Sequence, residues 1–177
     1  KFVFVFMRSH HFRKTTIFHN NKELHNKLVA VTLIRSLENN VSFSDVEYIG
    51  EGSYGVIYKY NQYAYKMFFS LNVNEHINEV NILKKLHSQN ILKYFDDIRN
   101  NNNNIPRMLK TELCKTSLDS FIKHNYANES TQLLCIRHII AAIEYIHKEQ
   151  IVHMDIKPEN ILINTSPNFV CKLADFG

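Results

Sequence analysis

Apolar residues change their spacing along this chain, and each change marks a different kind of element. Over residues 22–38, Leu24, Leu28, Val31, Ile34 and Leu37 recur at three- and four-residue steps. That spacing predicts one face of an amphipathic helix, suited to packing on a neighbouring domain or to docking a partner. "ENNVSFSD" then reads as a linker. From Val46 the texture turns to strands: "VEYIGEG" enters a glycine-bearing turn, "YGVIYKY" leaves it, and "YAYKMFF" follows after only Asn61-Gln62. Runs rich in Tyr, Val, Ile and Phe with tight turns predict an antiparallel meander. "VNEHINEVNILKKLH" returns to helical spacing through Ile77, Val80, Leu83 and Leu86. "ILKYFDDI" and "PRMLKTEL" predict two more strands, joined by a solvated polar loop over Asn100 to Asn104.

Beyond Cys114 the pattern becomes helical. "TSLDSFIKH" is a short segment supplied with capping residues. "TQLLCIRHIIAAIEYIHKEQ" sets Leu133, Ile136, Ile140, Ile143 and Ile146 on one predicted face. The chain closes with "HMDIKPENILI", a turn at "NTSPN" and "FVCKLADFG". Five strands with one helix, followed mostly by helix, predict an α+β molecule of two unlike lobes. The boundaries read as an N-terminal extension over 1–44, a first lobe over 45–113 and the start of a second over 114–177. The opening "KFVFVFM" is too short to span a bilayer, and it runs into "RSHHFRK" with no small-residue cleavage site. It predicts a buried or edge strand.

Composition narrows the classes. The 45% apolar and 21% charged content is that of an ordinary folded protein. The net charge of +4 suits an anionic ligand, but no Lys/Arg block with interleaved aromatics points to nucleic acid. Cys114, Cys135 and Cys171 lie far apart without a CxxC, which argues against a disulfide framework and for a reducing compartment, cytoplasm or nucleus. The ten histidines are scattered at spacings that suit solvated surface rather than metal ligation.

The candidate chemistry lies in three short motifs. "GEGSYG" supplies Gly50, Gly52 and Gly55 between two predicted strands, where backbone N–H groups can approach a phosphate without side chains in the way. A strand follows the glycines, so the turn is not of the dinucleotide-binding βαβ kind. Eleven residues on, Lys66 of "YAYK" sits on a predicted central strand, where burial would require a partner. Glu79, on the edge of the next helix's apolar face, is that partner. Finally, Asp155, Lys157 and Asn160 cluster in "HMDIKPEN", with Asp175 following in "ADFG". Two carboxylates and an amide are hard oxygen donors suited to Mg²⁺ shared with phosphate oxygens, and Lys157 adds a cation beside the acid. The set is suited to moving a phosphoryl group.

In the order and spacing of "GEGSYGVI", "AYK", Glu79, "TEL", "HMDIKPEN" and "DFG", the chain from Val46 to Gly177 resembles the eukaryotic protein kinases. The resemblance implies a small antiparallel sheet lobe with one helix and the beginning of a mainly helical lobe. It implies ATP and Mg²⁺ as ligands and a protein as substrate, with Ser/Thr favoured. Gly50, Glu51, Gly52, Ser53, Tyr54 and Gly55 would then arch over the phosphates, with Lys66 holding them and Glu79 steadying Lys66. Ile57, Ala64 and Leu162 would sandwich the adenine, and the backbones of Glu112 and Cys114 would meet its edge beside Thr111. Asp155 would accept the substrate proton, Lys157 would neutralise charge, and Asn160 and Asp175 would hold the metal. Leu83, His153 and Phe176 would belong to an apolar stack joining the lobes. Met154 stands where most of these kinases carry an arginine that pairs with a loop phosphate, so the resemblance implies an active form independent of such a phosphate. "HMD" faintly resembles Wee-type kinases, and "ELCKTSLDSFI" the kinases of translation initiation factor 2α.

In that family further helices follow the glycine of "DFG". Without them Ile136, Ile140 and Ile143 are expected to face water, each forfeiting about 1.5–3 kcal/mol. The expected protein is therefore part of a longer kinase. The alternative is a truncated, kinase-like binding or regulatory protein whose partner covers that helix.

Overall fold

The computed structural model describes residues 11–52, 54–69, 73–98, 107–124 and 128–177, with residues 11–21 and 73 described through their backbone alone. The strand expected over "KFVFVFM" and the loop over Asn100 to Asn104 lie outside these residues. The chain divides into two compact units at the Val46–Glu47 junction.

The first unit is built on one long helix, α1 (His11–Leu37), followed by a 3-10 turn over Phe43–Asp45. The helix starts well before residue 22, where the apolar spacing first becomes legible. Val31 and Ile34 of the expected face are buried with Ala30 and Leu33, whereas Leu24 and Leu28 are about half exposed. The chain leaves the helix through Asn40 in the left-handed region (φ 58), and the Arg35 Nε donates to the Val41 carbonyl at 2.9 Å. Asn tolerates that conformation better than most residues. The linker is thus a structured turn.

The second unit opens with a five-stranded antiparallel sheet in the order β1-β2-β3-β5-β4. Its strands are β1 (Glu47–Gly52), β2 (Gly55–Tyr60), β3 (Tyr63–Phe68), β4 (Tyr94–Ile98) and β5 (Arg107–Glu112). Asn61-Gln62 closes the β2–β3 hairpin, with Asn61 at φ 53 as a two-residue turn of that hand requires. The helix α2 (Val73–Leu83) lies between β3 and β4 in the chain, and its Val80 and Leu83 are fully buried.

The remainder carries α3 (Leu118–Lys123) and α4 (Glu129–Lys148), capped by Ser117 and Asn128 respectively. A second sheet, absent from the sequence reading, is formed by β6 (Thr116–Ser117), β7 (Ile161–Asn164) and β8 (Val170–Leu173). Its signal was present: "ILIN" and "VCKL" are short apolar runs flanking the turn "TSPN", the pattern of a hairpin.

On α4 the expected exposure of Ile136 and Ile140 is seen, whereas Ile146, placed on the same predicted face, is buried. Cys135, Ala142 and Ile146 are buried, while Leu133, Ile136 and Ile140 are about half exposed and Ile143 is intermediate. The helix is apolar around much of its girth, so the pattern of isoleucines could not say which stripe packs inward. One apolar cluster runs from Phe68, Val80, Leu83 and Leu109 of the sheet region through Ile91 to Ile146, Ile163, Leu173 and Phe176. Among the described residues no helix is long and apolar enough to cross a membrane.

Candidate active site

The β1–β2 turn, β3 and the end of β5 form one wall of a cleft of about 860 Å³, and β7 with the residues after β8 forms the other. Gly50, Glu51, Gly52, Tyr54 and Gly55 of the glycine motif line it; Ser53 lies outside the described residues. Ile57, Ala64 and Leu162 line the cleft as well, as do Thr111 and Glu112 at the end of β5 and Cys114 just beyond it. Leu92, Leu109, Glu159 and Ala174 also line it, although none was among the expected site residues. Their proximity follows from sheet register: Lys66 pairs with Leu109, and Ala64 with Thr111.

The three glycines differ in their surroundings. A Cβ at Gly50 or Gly52 would meet nothing within 4 Å, whereas one at Gly55 would lie 2.2 Å from the Met67 carbonyl oxygen. Gly55 is therefore demanded by the β2–β3 pairing itself, and the open space lies beside Gly50 and Gly52.

Lys66 donates to Glu79 Oε2 at 2.7 Å and also pairs with the Asp175 carboxylate. Glu79 is 2% exposed, deeper than the edge position its helix spacing suggested. Burial by itself disfavours the Lys66 ammonium, but the charges of Glu79 and Asp175 outweigh it and hold its pKa above the ordinary value. Burial raises the Glu79 carboxyl, with Lys66 opposing. Two carboxylates facing one ammonium leave this corner of the cleft with an excess of negative charge.

Below it, Asn160 is fixed by two bonds from its Nδ2, to the Asp155 carbonyl and to Asp155 Oδ2, each 2.9 Å. Lys157 Nζ holds the same Oδ2 at 2.7 Å. The Lys157 hydrogen bond, with that of Asn160, keeps the Asp155 carboxyl below the usual range despite opposing desolvation, so it is anionic at neutral pH. Asp155 and Lys157 do not line the cleft; they join it through Asn160. The Ala174 N–H donates to the Asn160 carbonyl at 2.9 Å, which sets Asp175 beside this loop. Asp175 and Met154 both adopt left-handed backbone, φ 65 and 66, although neither is glycine. Such conformations concentrate at functional sites. Met154 is 89% exposed, while His153 is buried, bonds the Ala174 carbonyl at 2.8 Å and packs at a tilt against the Phe176 ring, centroids 4.7 Å apart.

These residues fit a nucleoside triphosphate with a divalent cation. The space beside Gly50 and Gly52 admits phosphate, the surplus carboxylate at Asp175 calls for a cation, and both nitrogen bonds of Asn160 leave its amide oxygen free to serve as a hard ligand.

The α+β unit thus brings together a glycine turn, a lysine–glutamate pair and a carboxylate-bearing loop, the groups that phosphoryl transfer calls for. The family model described as "Protein kinase domain" matches residues 43–177, and the chain belongs to that family. It is similar to cyclin-dependent kinase 1 of Encephalitozoon cuniculi, 34% identical over 154 positions covering 77% of this chain and 50% of the relative. It is similar too to the probable serine/threonine-protein kinase MRK1 homolog of that organism, 31% identical over 77% of this chain and 45% of the relative. A third is the protein kinase domain-containing protein ppk9 of Schizosaccharomyces pombe, 39% identical over 56% of this chain and 18% of the relative. The chain spans at most half the length of these curated relatives.

Proposed function

We propose that these residues form the nucleotide-binding and catalytic part of a Ser/Thr protein kinase that transfers the γ-phosphoryl group of ATP to a protein hydroxyl. The observation that carries the reading is the joint placement of Lys66, Glu79 and Asp175 in the cleft beside Asn160. The Ser/Thr preference rests on the likeness to a probable serine/threonine-protein kinase, the MRK1 homolog. Division of the domain into a first lobe over 45–113 and the start of a second over 114–177 remains part of this proposal.

In this reading the backbone of Gly50 and Gly52 cradles phosphate oxygens, and Lys66 neutralises them while Glu79 keeps its ammonium aimed. Ile57, Ala64 and Leu162 hold the adenine face, and the backbones of Glu112 and Cys114 its edge. Asn160 and Asp175 would hold Mg²⁺, which when bound supplies charge neutralisation at the phosphates. Asp155, held anionic, orients the substrate hydroxyl and accepts its proton, and Lys157 offsets the negative charge that develops alongside. The work is positioning and charge compensation, with no covalent nucleophile. The three free thiols support a reducing compartment, cytoplasm or nucleus.

Titration of full-length protein with Mg²⁺-ATP tests the reading. Lys66→Ala is expected to weaken binding at least about tenfold, and Asp155→Asn to keep binding while abolishing transfer to a generic Ser/Thr substrate. A folded Lys66→Ala protein with undiminished affinity would sink the phosphate assignment. The exposed stripe Leu133, Ile136 and Ile140 favours a second reading, a kinase-like docking module. Wild-type protein that is folded but neither binds nucleotide nor transfers phosphate would favour it.

A further inference from the structure

At the end of β5 lies an ion pair, Glu112 with Lys172, that the catalytic reading does not use. The Glu112 Oε1 accepts from Lys172 Nζ at 2.9 Å and from the Lys93 backbone N–H at 2.7 Å. In return the Glu112 N–H donates to the Lys93 carbonyl at 3.0 Å. The same Lys172 ammonium donates to the Gln89 carbonyl at 2.9 Å. Both side chains are mostly withdrawn from solvent, 11% and 19% exposed. Segment 89–93 is also bound to β8 directly: Leu173 N–H donates to the Asn90 carbonyl at 2.8 Å, and Leu92 N–H to the Leu173 carbonyl at 2.9 Å. One carboxylate and one ammonium thus join three separate pieces of chain: the end of β5, the approach to β4, and β8.

The consequence falls on backbone. Glu112 lines the cleft with Thr111 and Cys114, and its carboxylate is held by Lys172 and the Lys93 N–H. Residues at the end of a strand have few ladder bonds to hold them. Glu112 pairs in register with Tyr63 of β3, and on its other side the reciprocal pair with Lys93 adds a second restraint, for which Lys172 holds the carboxylate in place. Without the ammonium, a carboxylate that is four-fifths buried would turn toward water and release the Lys93 N–H.

We propose that Lys172 is a positioning residue for recognition of the nucleotide base: it locks the Glu112 carboxylate, and thereby fixes the Glu112–Cys114 backbone against which the base edge is read. Lys172 does not line the cleft and touches no phosphate. The inference rests on the nucleotide-binding reading above and adds to it a group outside the binding surface that sets affinity for the base alone.

The test measures dissociation constants of Mg²⁺-ATP and of inorganic tripolyphosphate, which has no base, on the full-length protein and its variants. Lys172→Met is expected to weaken ATP about tenfold, the worth of a charge-assisted hydrogen bond, and to leave tripolyphosphate within about twofold of wild type. Lys172→Arg should restore ATP affinity. In a cycle with Glu112→Gln, the double variant should be no weaker than the worse single one, because both remove the same restraint. Where turnover is measured, the loss should appear in KM for ATP with kcat little changed. Equal ATP affinity in Lys172→Met and wild type would overturn the proposal, and so would parallel losses for ATP and tripolyphosphate. Lys172→Gln takes the place of the methionine variant if that one does not fold. If neither folds, Lys172 is structural and the proposal is likewise overturned. Failure of the wild-type protein to bind ATP at all would instead remove the underlying site reading.

Discussion

A Cβ added at Gly55 would meet the Met67 carbonyl oxygen at 2.2 Å, whereas one at Gly52 would meet nothing within 4 Å. Two substitutions in one motif should therefore fail in different ways. Gly55→Ala is expected to destabilise the fold by about 1–3 kcal/mol, as backbone overpacking does, and to show as a lowered Tm. Gly52→Ala should leave Tm nearly unchanged and weaken nucleotide binding instead. A Gly55→Ala protein with wild-type Tm would contradict the packing described. At Cys114, desolvation, with the Glu112 charge adding to it, pushes the thiol up to about 12. Below that value the group is a neutral thiol, so its alkylation should be slow near neutral pH and climb steadily as pH rises. Peptide mapping after iodoacetamide treatment should find Cys114 labelled at least about a hundredfold more slowly than free cysteine, whose thiol ionises near 8.5. Rapid labelling at neutral pH would show the thiol to be less desolvated than its surroundings imply. At this scale the motif residues could be read from sequence because their chemistry is carried by residue type. What could not be read is which glycine serves the sheet, since that depends on the distance to a strand brought in by the hairpin.

Among the elements, the meander and α2 were legible because alternation and tight turns act locally: Asn61-Gln62 leaves the chain little choice but a hairpin. The helix α4 was legible as a helix, and the exposure of Ile136 and Ile140 with it, but not the burial of Ile146. It carries isoleucines on more than one stripe, and only tertiary packing selects Ile146 over Ile136. In these 177 residues, Ile146→Ala is expected to cost about 2–5 kcal/mol, the usual range for a fully buried aliphatic side chain. Ile136→Ala should change stability by less than about 1 kcal/mol, because that side chain is 52% exposed. Denaturant titration of the two variants distinguishes the packed stripe from the open one, and equal losses would refute the assignment. The short β6–β7–β8 sheet escaped the sequence reading for a related reason: two-residue and four-residue strands are too brief for periodicity to register.

For the molecule as a whole, fold class followed from the order of elements, and the family from the spacing of motifs between Val46 and Gly177, in agreement with the family model over 43–177. Contacts between residues far apart in sequence were the hardest to foresee. The pair of Lys172 with Glu112 joins positions sixty apart, and neither belongs to a pattern that names the other. The apolar cluster that runs from Phe68 and Leu83 through Ile91 to Ile146 and Phe176 has a thermodynamic meaning of its own. The cluster is continuous from the sheet side to the helix side, so opening either exposes apolar surface of the other. Residues 47–177 should accordingly melt as a single calorimetric unit, with van't Hoff and calorimetric enthalpies in agreement. A two-step melt would mean that the shared core is weaker than its burial suggests. Such coupling also ties the cleft to global stability: a ligand gripping both walls would raise the melting temperature of the whole unit rather than stiffen one wall alone.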